Sequence, residues 1–153
     1  MVSLALILHT LAAILWIGGM FFAYMILRPV AAAQLDPPAR LTLWGAVFVR
    51  FFPWVWAAVI LLPVTGLFLA FRLFGGLGGS PPFVHLMLAL GTAMILIYLH
   101  VYFAPYRRLR AAVAAQDWAT GGQALATIRK LVGINLLLGL LLVTGVAGGR
   151  FLA

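Results

Sequence analysis

The chain has 153 residues, of which 66% are hydrophobic and 8% charged, and its formal net charge is +8. A mean hydropathy of +1.19 excludes a water-soluble domain and leaves the lipid bilayer as the solvent. Cysteine is absent, which excludes a disulfide framework, a thiolate metal site and an iron–sulfur cluster.

A helix crosses the bilayer core with about 20 apolar residues, and its backbone polar groups must pair within the segment. Four stretches qualify, at about 4–27, 42–71, 82–104 and 128–149. The alternation of a membrane barrel is missing. The expected fold is therefore all-α, a four-helix transmembrane bundle in which residues 1–153 form one integral membrane domain.

Span one opens after Ser3 and ends at Arg28-Pro29. It has neither the basic start nor the small-residue cleavage site of a signal peptide, so it is expected to stay as a span. The connection after it holds Asp36-Pro37-Pro38 and is not expected to be helical throughout. Span two starts near Leu41 and carries two candidate kinks, Pro53 and Pro63. The glycine-rich run from Gly75 to Pro82 reads as a turn, and without a lysine it is no phosphate loop. Ser80 is the expected N-cap of span three, with Pro81 at the first helical position. Span three ends at Ala104-Pro105, and residues 107–130 read as an amphipathic cytoplasmic connection. Span four carries glycines at 133, 139, 145 and 149. These permit close packing, either inside the bundle or across a homodimer seam.

Arg28, Arg40, Arg50, Arg107, Arg108, Arg110, Arg129 and Lys130 flank the loops after spans one and three, whereas Arg72 and Arg150 fall on the other side. Basic loops stay cytoplasmic. Both termini are therefore expected in the periplasm, in a multi-pass protein of a bacterial inner membrane. The run Arg107–Arg110 reads as a topology signal that also meets anionic lipid headgroups, and no nucleic acid is expected as a partner.

The chain repeats itself, in halves of about 1–75 and 76–153. His9 stands 20 residues before Pro29, and His85 stands 20 before Pro105. Arg50 precedes Thr65 of Val64-Thr65-Gly66 by 15 residues, and Arg129 precedes Thr144 of Val143-Thr144-Gly145 by the same interval. Imidazoles inside spans default to a functional reading, and two at matching depth point to a metal or haem iron held between the halves. His9 shares a helical stripe with Ala12, Ala13, Trp16 and Met20, and His85 shares one with Ala89, Thr92 and Leu96. The expected site has His9 and His85 as ligands, with Ala13, Trp16, Ala89 and Thr92 as walls and Arg72 or Arg150 for outward propionates. Copper is the alternative occupant, since imidazole and thioether suit it. Met87 and Met94 lie roughly opposite His85 by helical angle, so no continuous thioether ladder is expected. His100 lies at the cytoplasmic end without a histidine at its depth; it reads as interfacial, with a second metal site as the alternative. Thr65 and Thr144 either bond back to their helices or orient a histidine. The only acids, Asp36 and Asp117, fall in loops. That excludes a buried carboxylate relay, a hard-metal cage and a Ser-His-Asp set.

Several segments resemble CopD-like integral membrane proteins: His9 through Trp16-Ile17-Gly18-Gly19-Met20-Phe21-Phe22 to Leu27-Arg28-Pro29; Phe51-Phe52-Pro53-Trp54; Phe103-Ala104-Pro105-Tyr106-Arg107-Arg108-Leu109-Arg110; and Arg129-Lys130-Leu131-Val132-Gly133-Ile134-Asn135. The resemblance covers nearly the whole chain and implies copper handling. The opening helix is also similar to that of HemJ-type protoporphyrinogen oxidases, which implies haem b on His9. Their third-helix lysine has no counterpart, because Lys130 is the only lysine, and His85 stands near the expected place.

The leading expectation is a haem b protein passing electrons to a quinone or other redox partner, an oxidoreductase if it is an enzyme. Copper transport or resistance through membrane His and Met is the alternative, and HemJ-like oxidase activity a further one. An assembly partner without a ligand is the remaining class.

Overall fold

The structure, a computed structural model, describes residues 1–149, with side chains to residue 146. The described residues form helices and turns and no strand. The order is α1 (Val2–Phe21), a π-helical segment (Phe22–Leu27), α2 (Arg28–Gln34), α3 (Pro37–Phe74), a 3₁₀ turn (Leu77–Gly79), α4 (Pro82–Phe103), α5 (Pro105–Ala114) and α6 (Trp118–Gly149). They form four rods long and apolar enough to cross a membrane: Val2–Gln34, Pro37–Phe74, Pro82–Ala114 and Trp118–Val146. This is the expected four-helix transmembrane bundle.

The first rod runs through Pro29 instead of stopping there. In a regular α-helix the proline ring would strike the carbonyl of Met25 and remove a bond to it. The ladder widens just ahead of it: the Arg28 N–H bonds to the carbonyl of Ala23, five residues back. The rod breaks instead at Leu35 (φ −123°, ψ 139°), because Pro37 and Pro38 open the next helix. Asp36 caps α3, accepting from the Ala39 N–H at 3.2 Å. As a result α3 begins five residues before the expected 42, and both Pro53 and Pro63 sit inside one continuous helix.

Gly75 ends α3 in the left-handed region (φ 73°), where its N–H reaches the carbonyl of Ala70. Ser80 is not the cap of α4. Its hydroxyl donates back to the Gly76 carbonyl at 2.9 Å, while Pro81 takes the cap position and Pro82 begins the helix.

The connection after α4 is mostly helix. The chain turns at Ala104 (φ −113°, ψ −86°), and α5 starts at Pro105. α5 buries Tyr106, Leu109 and Ala112 and exposes Arg107, Arg108 and Arg110. Leu109 is fully buried, an anchor that contributes about 1.5–3 kcal/mol relative to exposure. α6 then starts at Trp118, ten residues before the expected 128. Asp117 caps it, accepting from the Thr120 N–H at 3.1 Å. Bonds from Thr120 hold the Asp117 carboxyl below its ordinary value.

α1 lies along α3 and α4 along α6, with α5 folded back on the start of α6. These are the two hairpins that the repeat predicts. They meet along an aromatic seam. Phe48 stacks on Phe52 (5.0 Å, 11°), and Phe52 meets Tyr98 and Tyr106 edge-on at 5.6 and 4.7 Å. The glycines of α6 let neighbours approach inside the chain. A Cβ on Gly133 would lie 3.0 Å from Tyr24, and one on Gly139 would lie 3.1 Å from Ile17 and 3.2 Å from Met94. Gly145 meets Leu86, and the surroundings of Gly149 lie outside the described residues. The described glycines 133, 139 and 145 thus admit neighbours within the chain. Leu4, Ile7, Ile14, Ile60 and Val64 are more than half exposed on the outside of the bundle, the face such a helix presents to lipid.

Candidate functional site

His9, on α1, turns inward to α3. Its Nδ1 lies 2.8 Å from the Thr65 hydroxyl oxygen. That hydroxyl has one proton, and it donates to the carbonyl of Leu61. Nδ1 therefore carries the ring proton and donates to Thr65, which leaves the Nε2 lone pair free. A ligating histidine needs this arrangement, with the second nitrogen fixed by a bond of its own. Glycine at 66 makes room for the ring: a Cβ there would stand 3.2 Å from His9 Cε1.

The second half does not reproduce the site. His85, Ala89, Thr92 and Leu96 are all exposed, so the stripe expected to wall a cofactor faces outward. Leu86, the next residue, takes the place against Gly145 that His9 takes against Gly66. α4 is thus turned by one residue relative to α1, about 100°. Thr144 is exposed and only bonds back, donating to the carbonyls of Leu140 and Leu141 at 2.9 and 3.1 Å.

The other expected residues scatter. Ala13 is half-buried, and Trp16 is buried with its ring edge-on to Tyr98 at 6.2 Å. Arg72 is exposed, with its guanidinium over the Phe68 ring at 5.6 Å, and Arg150 lies outside the described residues. His100 is exposed in the last turn of α4, a favourable end for a cation. The described residues hold no group of three His, Asp or Glu near enough to share a metal ion. A bis-imidazole haem does not fit these residues, since one ring faces in and the other out.

The turn of α4 has a second effect. Because His85 faces outward, Met94 on the opposite side of the helix faces the core. Met94 and Met20 are 2% and 3% exposed. Met20 lies on the inward stripe of His9, as the spacing predicts, whereas the inward facing of Met94 follows only once the outward direction of His85 is known, which spacing alone does not supply. Met94 approaches Gly139 beside Ile17 of α1, which sets it between His9 and Met20 in depth. Next to it Asn135 is 3% exposed. Its Nδ2 donates to the Met94 carbonyl at 3.3 Å, and its Oδ1 has no partner. A cavity of about 240 Å³ opens there, lined by Trp16, Met20, Phe52, Tyr98 and Asn135. One imidazole and two thioethers therefore face an interior whose other buried polar side chains are Thr65, Tyr98 and Asn135, and imidazole and thioether are ligand types that suit copper.

The sequence profile of the family described as copper resistance protein D (CopD) matches residues 45–148, more than half of the chain and most of three of its four rods. No curated protein and no solved structure matches the chain. The four membrane-crossing rods and this match together place the chain in the CopD family of multi-pass membrane proteins.

Proposed function

We propose that the protein handles copper inside the membrane, taking up copper(I) as cargo on the side of the chain termini. The basic end, with Arg28, Arg40 and the α5 arginines, faces the cytoplasm in this reading, as charge bias favours. His9 Nε2 is the outer donor, and the thioethers of Met94 and Met20 receive the ion deeper in the bundle. The observation that carries the proposal is the inward orientation of these three donors in a CopD-family chain. His9 and Met20 are eleven positions apart on α1, roughly 16 Å at about 1.5 Å per residue. Separate weak donors at successive depths suit passage better than storage, because an ion that is to move on must not be caged. The lack of a three-residue cluster among the described residues is compatible with that.

The test is cell-associated copper and growth under copper stress, in host cells making the chain or its variants at equal membrane levels. The wild type changes copper content. His9→Ala abolishes the change, Met20→Leu with Met94→Leu reduces it, and His85→Ala behaves as wild type. The reading fails if the wild type leaves copper content unaltered, or if His85→Ala is as damaging as His9→Ala.

A further inference from the structure

We propose that the basic end of the bundle holds one anionic phospholipid in a pocket between the two hairpins. A second cavity, of about 630 Å³, opens there between the π-helical segment, α2 and the first turns of α3 and α6. Arg28, Arg40 and Arg129 all line it, one from each of α2, α3 and α6. Neither acid of the chain does: Asp36 caps α3 and Asp117 caps α6. Three arginines on one cavity wall without a carboxylate among the lining residues favour an anion, and the planar fork of donors that each carries matches a phosphodiester.

The rest of the wall says what carries that phosphate. Tyr24, Trp44 and Trp118 line the cavity, the ring types found at headgroup level. Arg28 lies 4.9 Å over the Tyr24 ring, which holds one fork at the rim. The rest of the lining is apolar, with Leu41 and Ile128 buried and Leu125 partly so. Ala23, Phe48 and Val132 line both this cavity and the inner one, so an acyl chain has apolar wall to follow toward the bundle centre. A free phosphate would use the arginines and leave this wall idle. Basic pockets between helices at the cytoplasmic interface are known to take lipid headgroups. The proposal is independent of the copper reading, since it uses neither His9 nor the two methionines.

The experiment measures thermal unfolding of the purified full chain in mixed micelles. Phosphatidylglycerol, phosphatidylcholine or inorganic phosphate is added, and the phospholipid that co-purifies with the wild type is also analysed by class. Phosphatidylglycerol raises the wild-type melting temperature, and the other two additions do not. Arg40→Gln with Arg129→Gln weakens the response, by about fivefold in affinity per arginine. Arg107→Gln with Arg108→Gln removes equal charge from the exposed face of α5 and leaves the response intact. Co-purified lipid is enriched in anionic headgroups over the host membrane, a readout that does not depend on any variant folding. An equal response to phosphatidylcholine, an equal response to phosphate alone, equal loss in the α5 variant, or absence of enrichment each overturns the proposal.

Discussion

His9 reaches from α1 to Thr65 of α3 with 2.8 Å between Nδ1 and the hydroxyl oxygen, whereas the repeat-related His85 and Thr144 both face outward. The two pairs occupy matching places in the sequence. Only the first is a pair in space, so mutating corresponding members separates the role of the contact from that of the residue type.

Thr65→Val keeps the shape and removes the hydroxyl. It strands a half-buried imidazole N–H, which costs about 1–3 kcal/mol, and frees the ring to change tautomer. Unfolding in detergent should show that loss, together with reduced copper handling in cells. Thr144→Val, on the exposed face, should stay within about 0.5 kcal/mol and leave copper handling unchanged.

Gly66→Ala pulls stability and function apart. Alanine gains about 1 kcal/mol in a helix interior. Its Cβ, 3.2 Å from His9 Cε1, displaces the ring by a few tenths of an ångström. The melting temperature should hold or rise while copper handling falls. At Gly145 a Cβ meets Leu86 at an ordinary 3.4 Å, so Gly145→Ala should hold or raise the melting temperature and leave copper handling unchanged. A fall in both properties for Gly66→Ala would mean that the ring is structural filler.

Asn135→Leu replaces an amide whose Oδ1 is buried without a partner. An orphaned buried acceptor costs about 1–3 kcal/mol, and the adjoining cavity of about 240 Å³ admits the larger side chain. The variant should therefore melt at or above the wild-type temperature. Lower stability would show that the 3.3 Å bond to the Met94 carbonyl outweighs the unmet oxygen.

Asp117 gives a dependence on pH with a definite sign. Its carboxyl is held below its ordinary value by bonds from Thr120, so its ionised form stabilises the start of α6. That contribution is complete above the unfolded-state value and disappears as pH falls through the lower folded-state value. Asp117→Ala should lower the melting temperature at neutral pH. The gap between variant and wild type should close in strong acid, and a gap that is constant with pH would refute the assignment.

Much of this fold is legible in the sequence because bilayer physics leaves few choices. Runs of apolar residues long enough to span become helices, and equal intervals around His9 and His85 announce two hairpins. The boundaries are less legible. Pro29 reads as a stop, yet a π-helical turn carries the rod past it; Trp118 reads as part of a connection, yet Asp117 caps a helix there. The site is half legible. A histidine's depth follows from counting, but its facing depends on how α4 packs against α6, where Met94 and Leu86 fill the space beside Gly139 and Gly145. Those contacts join residues far apart in the chain, and local periodicity carries no record of them.

The single-residue twist of α4 bears on how duplicated membrane proteins diverge. In a repeat, a helix turned by one residue keeps its histidine in the sequence and sends it out among the fatty acyl tails, while a residue from its opposite side takes the interior. Counting intervals finds the two histidines alike, and only packing tells the one that meets a partner helix from the one that faces outward.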